Sequence, residues 1–259
     1  MIPKNLRNPL LFLLALIFSL ALMFAFTEIP RLIDLFLQNK MGFPGFDQGI
    51  SEQNIYKSNL YISALHLRWI GYLSLFLVLG FIVLGFITKK SGWAWAGALT
   101  LFLPVFGQFA LSMFFLAGLG ILRAGWLPFM DISEKVLALG DVIYLPYHFL
   151  IWFFGLFHWY AHNLISYFFM AVGSFLFVWG VLVWFQTRSG QQIVASSRIY
   201  KFSRHPQYLG WIIWSYGFML FSSGINVMKK TWEVPSSLPW LLASMVIIAI
   251  CLLEEIRMQ

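Results

Sequence analysis

Long apolar runs with few charges divide this chain, and they limit the folds that it can adopt. Seven such segments lie at about residues 9–26, 65–88, 93–122, 136–157, 164–186, 207–224 and 238–253. They are rich in Leu, Phe, Trp and Ala, and they lack the apolar–polar alternation of a barrel strand. Because a helix needs ~20 apolar residues to cross a bilayer, the pattern predicts an all-α polytopic membrane helix bundle with about seven transmembrane segments.

The composition agrees with a membrane protein, since 60% of the residues are hydrophobic and only 10% are charged. The net charge of +7 favours loops that face an anionic leaflet over a nucleic-acid partner. Lys4 and Arg7 precede the first apolar run in the manner of a signal peptide. That run is long for a signal peptide and no small-residue cleavage site follows it, so it is interpreted as a retained span.

The distribution of basic residues predicts an orientation. If all seven segments cross the membrane, one side holds 11 of the 17 Lys and Arg residues and the other holds 6. The positive-inside rule then places residues 198–210 and the C-terminus in the cytoplasm. Residues 27–64, with mixed charges and a turn-rich GFPGFDQG stretch, are predicted to form the longest loop, and Pro146 is expected to kink the fourth span.

The stretch RIYKFSRHPQYLG, residues 198–210, concentrates charge just before the sixth apolar run. Pro206 has no N–H and suits the first position of a helix. Arg204 and His205 would then lie at the helix N-terminus, where the dipole favours an anion. Tyr208 follows within a turn, and Gly210 allows another group to approach the helix closely. These residues predict a cationic pocket at the membrane surface that suits a phosphate or a carboxylate.

Glu254 and Glu255 follow directly on the seventh apolar run. The sixth and seventh segments are of similar length and form a hairpin, so the end of the seventh is expected to return to the start of the sixth. Two carboxylates would then lie near Arg204 and His205. A site that carries both positive and negative side chains suits a zwitterion, such as the amino-acid end of S-adenosylmethionine. A phosphate would need only the positive side chains, Arg204 and His205.

The two motifs together resemble the integral membrane methyltransferases, the family of the isoprenylcysteine carboxyl methyltransferases and the phospholipid N-methyltransferases. The family pattern GxYxxxRHPxYxG and a later Glu pair are matched over residues 164–259 by Tyr200, Arg204, His205, Pro206, Tyr208, Gly210, Glu254 and Glu255. Arg198 stands where the pattern has Gly. Family members usually continue past the Glu pair into an amphipathic tail, whereas this sequence ends at Gln259.

The resemblance implies a cytoplasm-facing S-adenosylmethionine site lined by all eight matching residues. It implies that Arg204 and His205 bind the cofactor carboxylate or adenosine, and that Glu254 and Glu255 bind its amino group or ribose. His205 and Glu255 are the candidate catalytic groups, since an amine acceptor must lose a proton. The expected partners are membrane lipids and a lipophilic acceptor: a phospholipid amine, a prenylated carboxylate or a small lipophilic thiol. Residues 136–259 would form the methyltransferase core, with residues 1–135 as N-terminal transmembrane helices of unknown role.

Three other interpretations stay open. Membrane sterol reductases share a related Arg-x-Pro-x-Tyr-x-Gly stretch and bind NADPH. Alternatively, the chain is a non-catalytic membrane protein that keeps the same helical core. Arg198, Lys201 and Arg204 would also suit a basic cluster that binds anionic lipid headgroups.

Two further groups of polar residues invite functional interpretations. His158 and His162 in HWYAH have the spacing of metal ligands, but no carboxylate or Cys completes a set, and an interfacial aromatic belt is favoured. Asp141, Tyr144 and His148 share one helix face, with Tyr147 beside them. These four would line a substrate cavity or form an interhelical hydrogen-bond network, and the network is favoured.

Overall fold

The computed structural model describes residues 4–41, 67–102, 136, 139–159, 161–189, 198–229 and 237–258. This part of the chain contains seven α-helices and no strand: α1 Lys4–Met41, α2 Leu67–Ile87, α3 Ser91–Leu101, α4 Leu145–Gly155, α5 His162–Ser189, α6 Pro206–Lys229 and α7 Ser237–Met258. Short 3₁₀ helices precede α4 (Leu139–Tyr144) and α6 (Arg198–Lys201). The predicted all-helical class is confirmed.

Several of these helices have the length and composition of membrane spans. Three stretches are long and apolar enough to cross a bilayer: Pro9–Ile33, His162–Thr187 and Ser237–Ile256. Two shorter apolar helical stretches are Gly71–Ile87 and Leu139–Gly155. The protein is therefore an integral membrane helix bundle. Most of the third predicted segment lies outside the described residues.

The prediction that a loop begins at residue 27 was wrong. Helix α1 continues through Pro30 to Met41, well past the first apolar run. Charged residues end an apolar run without ending a helix, and Glu28 and Arg31 are spaced to share one helix face. A proline within a membrane helix is tolerated where neighbouring groups satisfy the freed carbonyl. The remainder of the predicted loop, including GFPGFDQG, lies outside the described residues.

Pro146 lies at a helix start. It occupies the first turn of α4, directly after the 3₁₀ helix that ends at Tyr144. A proline in the first turn removes no helical hydrogen bond, because the amide there has no intrahelical acceptor. Pro146 therefore marks the change from 3₁₀ to α-helix in the fourth segment instead of kinking a continuous helix.

The chain divides into two compact units, and the first contains residues 1–29 and 164–218. Here the beginning of α1 packs along α5: Phe12 meets Phe175 edge-on with ring centroids 5.3 Å apart. Leu11 is buried with Val183 of α5 and with Ile199 of the 3₁₀ helix that precedes α6. The N-terminal helix thus packs directly against the segment that carries the RHP motif.

Helices α5 and α6 of the first unit approach each other through glycines. A Cβ on Gly173 would lie 2.2 Å from the backbone nitrogen of Trp214, and one on Gly210 would lie 2.4 Å from the backbone nitrogen of Phe177. A Cβ on Gly217 would lie 2.6 Å from the backbone nitrogen of Met170, so the helices run antiparallel. Membrane helices pack through small residues in this way because apolar side chains gain little by leaving lipid.

The second unit contains residues 30–163 and 219–259, and helix α7 packs in it against α3 and the 3₁₀ helix before α4. A Cβ on Gly140 would lie 2.3 Å from the backbone nitrogen of Leu238, so this 3₁₀ helix lies directly against the start of α7. The Ser237 hydroxyl donates to Asp141 Oδ1 at 3.2 Å. The Asp141 carboxylate therefore lies at the N-terminus of α7, where the helix dipole favours a negative charge.

A left-handed residue ends helix α4. His158 has φ 57°, its amide bonds to the Gly155 carbonyl at 3.0 Å, and the Trp159 amide bonds to the Phe154 carbonyl at 3.2 Å. This pair of bonds is the Schellman motif, whose left-handed position normally holds glycine. In HWYAH the first histidine thus occupies a strained turn position.

Replacing His158 by glycine is expected to raise the free energy of unfolding by about 1 kcal/mol, because glycine has no Cβ to oppose a positive φ. Unfolding of the detergent-solubilised protein by SDS, followed by circular dichroism, measures the effect. His158→Ala is the matched control, since it removes the imidazole and keeps the Cβ. Equal stability of the two variants would contradict a backbone origin of the strain.

Candidate functional site

Residues 198–205, which carry most of the RHP motif (residues 204–206) and are named the RHP turn, lead into helix α6. The amides of Phe202 and Ser203 bond to the Ile199 carbonyl at 3.1 and 3.2 Å and close the 3₁₀ turn. The His205 carbonyl then accepts the amides of Tyr208 at 3.1 Å and Leu209 at 3.2 Å. His205 is therefore the N-cap residue. Helix α6 begins at Pro206, as predicted from the missing N–H of proline.

His205 is held from two sides. Its amide donates to the Ser203 hydroxyl oxygen at 3.3 Å. Its ring is stacked on the ring of Tyr208, with centroids 5.3 Å apart and an interplanar angle of 2°. The His205 side chain is half-buried, whereas Arg204 beside it is exposed. The turn thus presents one cation to solvent and one ordered imidazole at the start of a helix.

The amides at this helix start are less free to bind an anion than the sequence suggests. At a helix start the first four amides ordinarily lack intrahelical acceptors. Here the His205 amide donates to the Ser203 hydroxyl oxygen, Pro206 has no amide hydrogen, and the Tyr208 amide bonds to the His205 carbonyl. The affinity of this turn for an anion therefore depends on the Arg204 guanidinium and the helix dipole more than on these amides.

Tyr200 is tied into the protein through its hydroxyl. The oxygen lies 3.1 Å from Gln207 Oε1 and 3.2 Å from the Gly180 carbonyl oxygen, so these two acceptors share its single proton. Burial raises the pKa of Tyr200 above its ordinary value, while the hydrogen bond to Gln207 acts in the opposite direction. The phenol therefore keeps its proton at neutral pH and acts as a donor.

The close approach expected at Gly210 is made by the backbone of helix α5. The nearest atoms to a Cβ at this position are the Phe177 nitrogen at 2.4 Å and the Gly173 carbonyl oxygen at 2.8 Å. Helix packing alone accounts for glycine at residue 210. A contact of Gly210 with a cofactor stays a prediction.

Glu254 and Glu255 lie in the last turns of α7 and are half-buried. The dipole disfavours carboxylates at a helix C-terminus, so their position opposes the helix electrostatics. They belong to the second compact unit, and Arg204 and His205 belong to the first. The juxtaposition of the two pairs stays a prediction.

The polar residues of the fourth segment make interhelical bonds. The hydroxyls of Tyr144 and Ser223 lie 3.0 Å apart, and Asp141 accepts from Ser237 as described above. Tyr147 bonds to Nδ1 of His162, whereas His148 is exposed. These contacts favour the interpretation that Asp141, Tyr144 and Tyr147 form a hydrogen-bond network over the interpretation that they line a substrate cavity. Within the described ranges, no three His, Cys, Asp or Glu residues lie close enough to hold a metal ion.

Two residues of the site were not identified from the sequence. Ser203 accepts the His205 amide, and Gln207 meets the Tyr200 hydroxyl. A serine shortly before the helix-starting Pro206 is a signal for local capping and would have identified Ser203. The contact of Gln207 joins a 3₁₀ turn to a helix across the motif, and no local pattern predicts it.

The helices and the RHP turn define an all-helical integral membrane protein with a polar site at one helix start. Residues 163–228 match the model of the isoprenylcysteine carboxyl methyltransferase (ICMT) family. The match confirms the predicted resemblance to membrane methyltransferases, and it covers α5, the RHP turn and most of α6. Glu254 and Glu255 lie outside the matched residues. No curated protein and no solved structure matches the chain.

Proposed function

We propose that this protein transfers a methyl group from S-adenosylmethionine to a lipophilic acceptor in the membrane. The observation that carries the proposal is the RHP turn, which the family match includes and which holds Arg204 and His205 at the start of α6. The chemistry of the residues fits the cofactor. An exposed guanidinium suits a carboxylate, and two half-buried carboxylates suit an ammonium or ribose hydroxyls.

The proposed mechanism assigns separate tasks to these residues. S-adenosylmethionine supplies, when bound, a sulfonium methyl that moves in line to a nucleophile while the sulfur keeps the C–S electron pair. Arg204 binds the carboxylate, and the stacked pair His205–Tyr208 forms one wall of the site. Glu254 and Glu255 bind the ammonium or ribose. His205 or Glu255 accepts the proton when the acceptor is an amine. The protein contributes mainly positioning and the exclusion of water.

The acceptor class follows from the membrane setting. A site at the end of apolar helices admits a lipid from the bilayer and a soluble cofactor from the water phase. Suitable nucleophiles are a phospholipid amine, the carboxylate of a prenylated cysteine or a lipophilic thiol. Incubating membranes with S-adenosylmethionine that carries a radioactive methyl group, followed by separation of the lipid extract, identifies the acceptor. Absence of label from every lipid and protein fraction would contradict the proposal.

The cytoplasmic orientation of the site is tested by cysteine labelling. Phe202 in the RHP turn is 92% exposed, and Cys251 is the single cysteine, so Phe202→Cys in a Cys251→Ser background gives one accessible thiol. A membrane-impermeant maleimide is expected to label it only after the cells are permeabilised. Lys89 lies between the second and third apolar segments and so, if all seven segments cross, on the opposite side; Lys89→Cys is expected to be labelled in intact cells. Labelling of Phe202→Cys in intact cells would refute the cytoplasmic orientation.

A further inference from the structure

The residues proposed to bind the cofactor carboxylate and to form one wall of its site lie in a short connection between two long helices. Arg204 and His205 come after the 3₁₀ helix Arg198–Lys201 and before α6. A site in a connection needs its backbone fixed by contacts outside the connection, because a displacement of about 1 Å at a reacting group costs large factors in rate. The contacts that fix this turn therefore decide how well the site is formed.

Two neighbouring residues attach the turn to the helices. Ile199 is 7% exposed and packs with Leu11 of α1 and Val183 of α5. This apolar contact holds the turn against the helices but does not fix the orientation of its backbone. Tyr200 supplies the directional contact, since its hydroxyl lies within 3.2 Å of both Gln207 Oε1 in the first turn of α6 and the Gly180 carbonyl of α5. One hydroxyl thus joins the 3₁₀ turn to both helices.

The surroundings of Gly180 strengthen the same contact. A Cβ on Gly180 would lie 3.2 Å from the Gln207 backbone nitrogen and 3.2 Å from Pro206 Cγ. Glycine at 180 thus lets the first turn of α6 lie against α5 at the level of the Tyr200 hydroxyl. The half-buried phenol keeps its proton, so the donor is present throughout the physiological pH range.

We propose that Tyr200 and Gln207 are positioning residues, which hold Arg204 and His205 at the start of α6 through a shared hydrogen bond without touching the cofactor. This inference rests on the proposed function. It changes the role of Tyr200 from a residue that contacts the cofactor to one that positions Arg204 and His205. It adds Gln207, which fills a position that the family pattern leaves open. The clamp formed by Tyr200, Gln207 and the Gly180 carbonyl acts on the cofactor only through the positions of Arg204 and His205.

A double-mutant cycle on the full-length protein tests the clamp. The variants are Tyr200→Phe, which removes only the hydroxyl, Gln207→Met, which keeps the side-chain length without an amide, and the double variant. Calorimetric titration with S-adenosylhomocysteine is expected to show affinity about 3- to 10-fold weaker for each single variant, as for the loss of one hydrogen bond. Because Tyr200 and Gln207 act through the same hydroxyl, the affinity of the double variant is expected to equal that of Tyr200→Phe. Additive losses, or no loss, would overturn the proposal.

A matched control separates positioning from general stability. Tyr144→Phe removes the interhelical hydrogen bond to Ser223 in the second unit. It is expected to lower the unfolding midpoint as much as Tyr200→Phe and to leave the affinity for S-adenosylhomocysteine unchanged. An equal loss of affinity in Tyr144→Phe would show that Tyr200 acts only through stability and would overturn the positioning role.

Limited proteolysis tests the clamp without any cofactor. Trypsin cleaves after Lys201 and Arg204, which lie within the RHP turn. Tyr200→Phe and Gln207→Met are expected to raise the cleavage rate at these two bonds several-fold, and Tyr144→Phe is expected to leave it unchanged. If the wild-type protein binds no S-adenosylhomocysteine, the proposed function fails, while faster cleavage still supports the clamp. Unchanged cleavage in both variants would refute the clamp.

Discussion

Replacement of His205 by alanine is expected to weaken S-adenosylhomocysteine binding by about 10-fold, the loss expected when one contact wall and one hydrogen-bonding group are removed. The imidazole is stacked on Tyr208 and its backbone is the N-cap of α6, so the change removes one wall of the site. Glu255→Ala is expected to cause a loss of about 10- to 100-fold, because the cofactor ammonium or ribose would lose a charged hydrogen-bond partner. Calorimetry on the purified protein measures both.

Controls for these two variants come from the same chain. His158→Ala removes an exposed histidine from a turn, and Glu28→Ala removes a carboxylate from α1; neither residue belongs to the proposed site. Both are expected to bind S-adenosylhomocysteine like the wild type. Binding of NADPH in place of S-adenosylhomocysteine would indicate a reductase. Binding of neither ligand would refute the proposed function.

Replacement of Gly210 by alanine is expected to lower the free energy of unfolding by about 2 kcal/mol, within the range for overpacked interiors. The added methyl would lie 2.4 Å from a backbone nitrogen of α5, and backbone cannot rotate aside as a flexible side chain does. Helices α5 and α6 must therefore separate. Because α6 carries His205 at its start, the affinity for S-adenosylhomocysteine is expected to fall as well. SDS unfolding and calorimetry measure the two effects.

Alanine substitutions at a series of glycines test whether the loss of stability follows the distance from the added Cβ to its nearest neighbour. The distances from an added Cβ to its nearest neighbour are 2.2 Å at Gly173, 2.4 Å at Gly210, 2.6 Å at Gly217 and 3.2 Å at Gly180. Alanine at these positions is expected to destabilise in that order, least at Gly180. Gly80 in α2 has nothing within 4 Å of a Cβ, so Gly80→Ala is the control and is expected to be neutral or stabilising by up to about 1 kcal/mol. Equal effects at Gly210 and Gly80 would contradict the close packing.

The spacing of these glycines was visible in the sequence as a repeat. Gly173 and Gly180 are seven residues apart, as are Gly210 and Gly217. A seven-residue repeat of small residues keeps one helix face against a neighbour over successive pairs of turns. This spacing predicts the α5–α6 contact, so the space beside Gly210 is explained by helix packing without a ligand.

The sequence by itself determined the class of protein and the local structure of the RHP turn. Apolar runs of span length leave a helix as the stable form in lipid, because every backbone group must be bonded internally. Pro206 had to begin α6, since it has no amide to bond and its φ suits a first turn. The motif residues also carried the resemblance that the family match confirms for residues 163–228.

Only the tertiary structure decided what each of these residues contacts. Helix α1 extends past its apolar run, and its Leu11 packs on Ile199 next to the RHP turn. Tyr200 bonds to Gln207 and Gly180, and the space beside Gly210 is filled by backbone of α5. Such contacts join residues that are far apart in the chain or on different elements. They depend on how two helices cross, which a one-dimensional pattern of residue types does not specify.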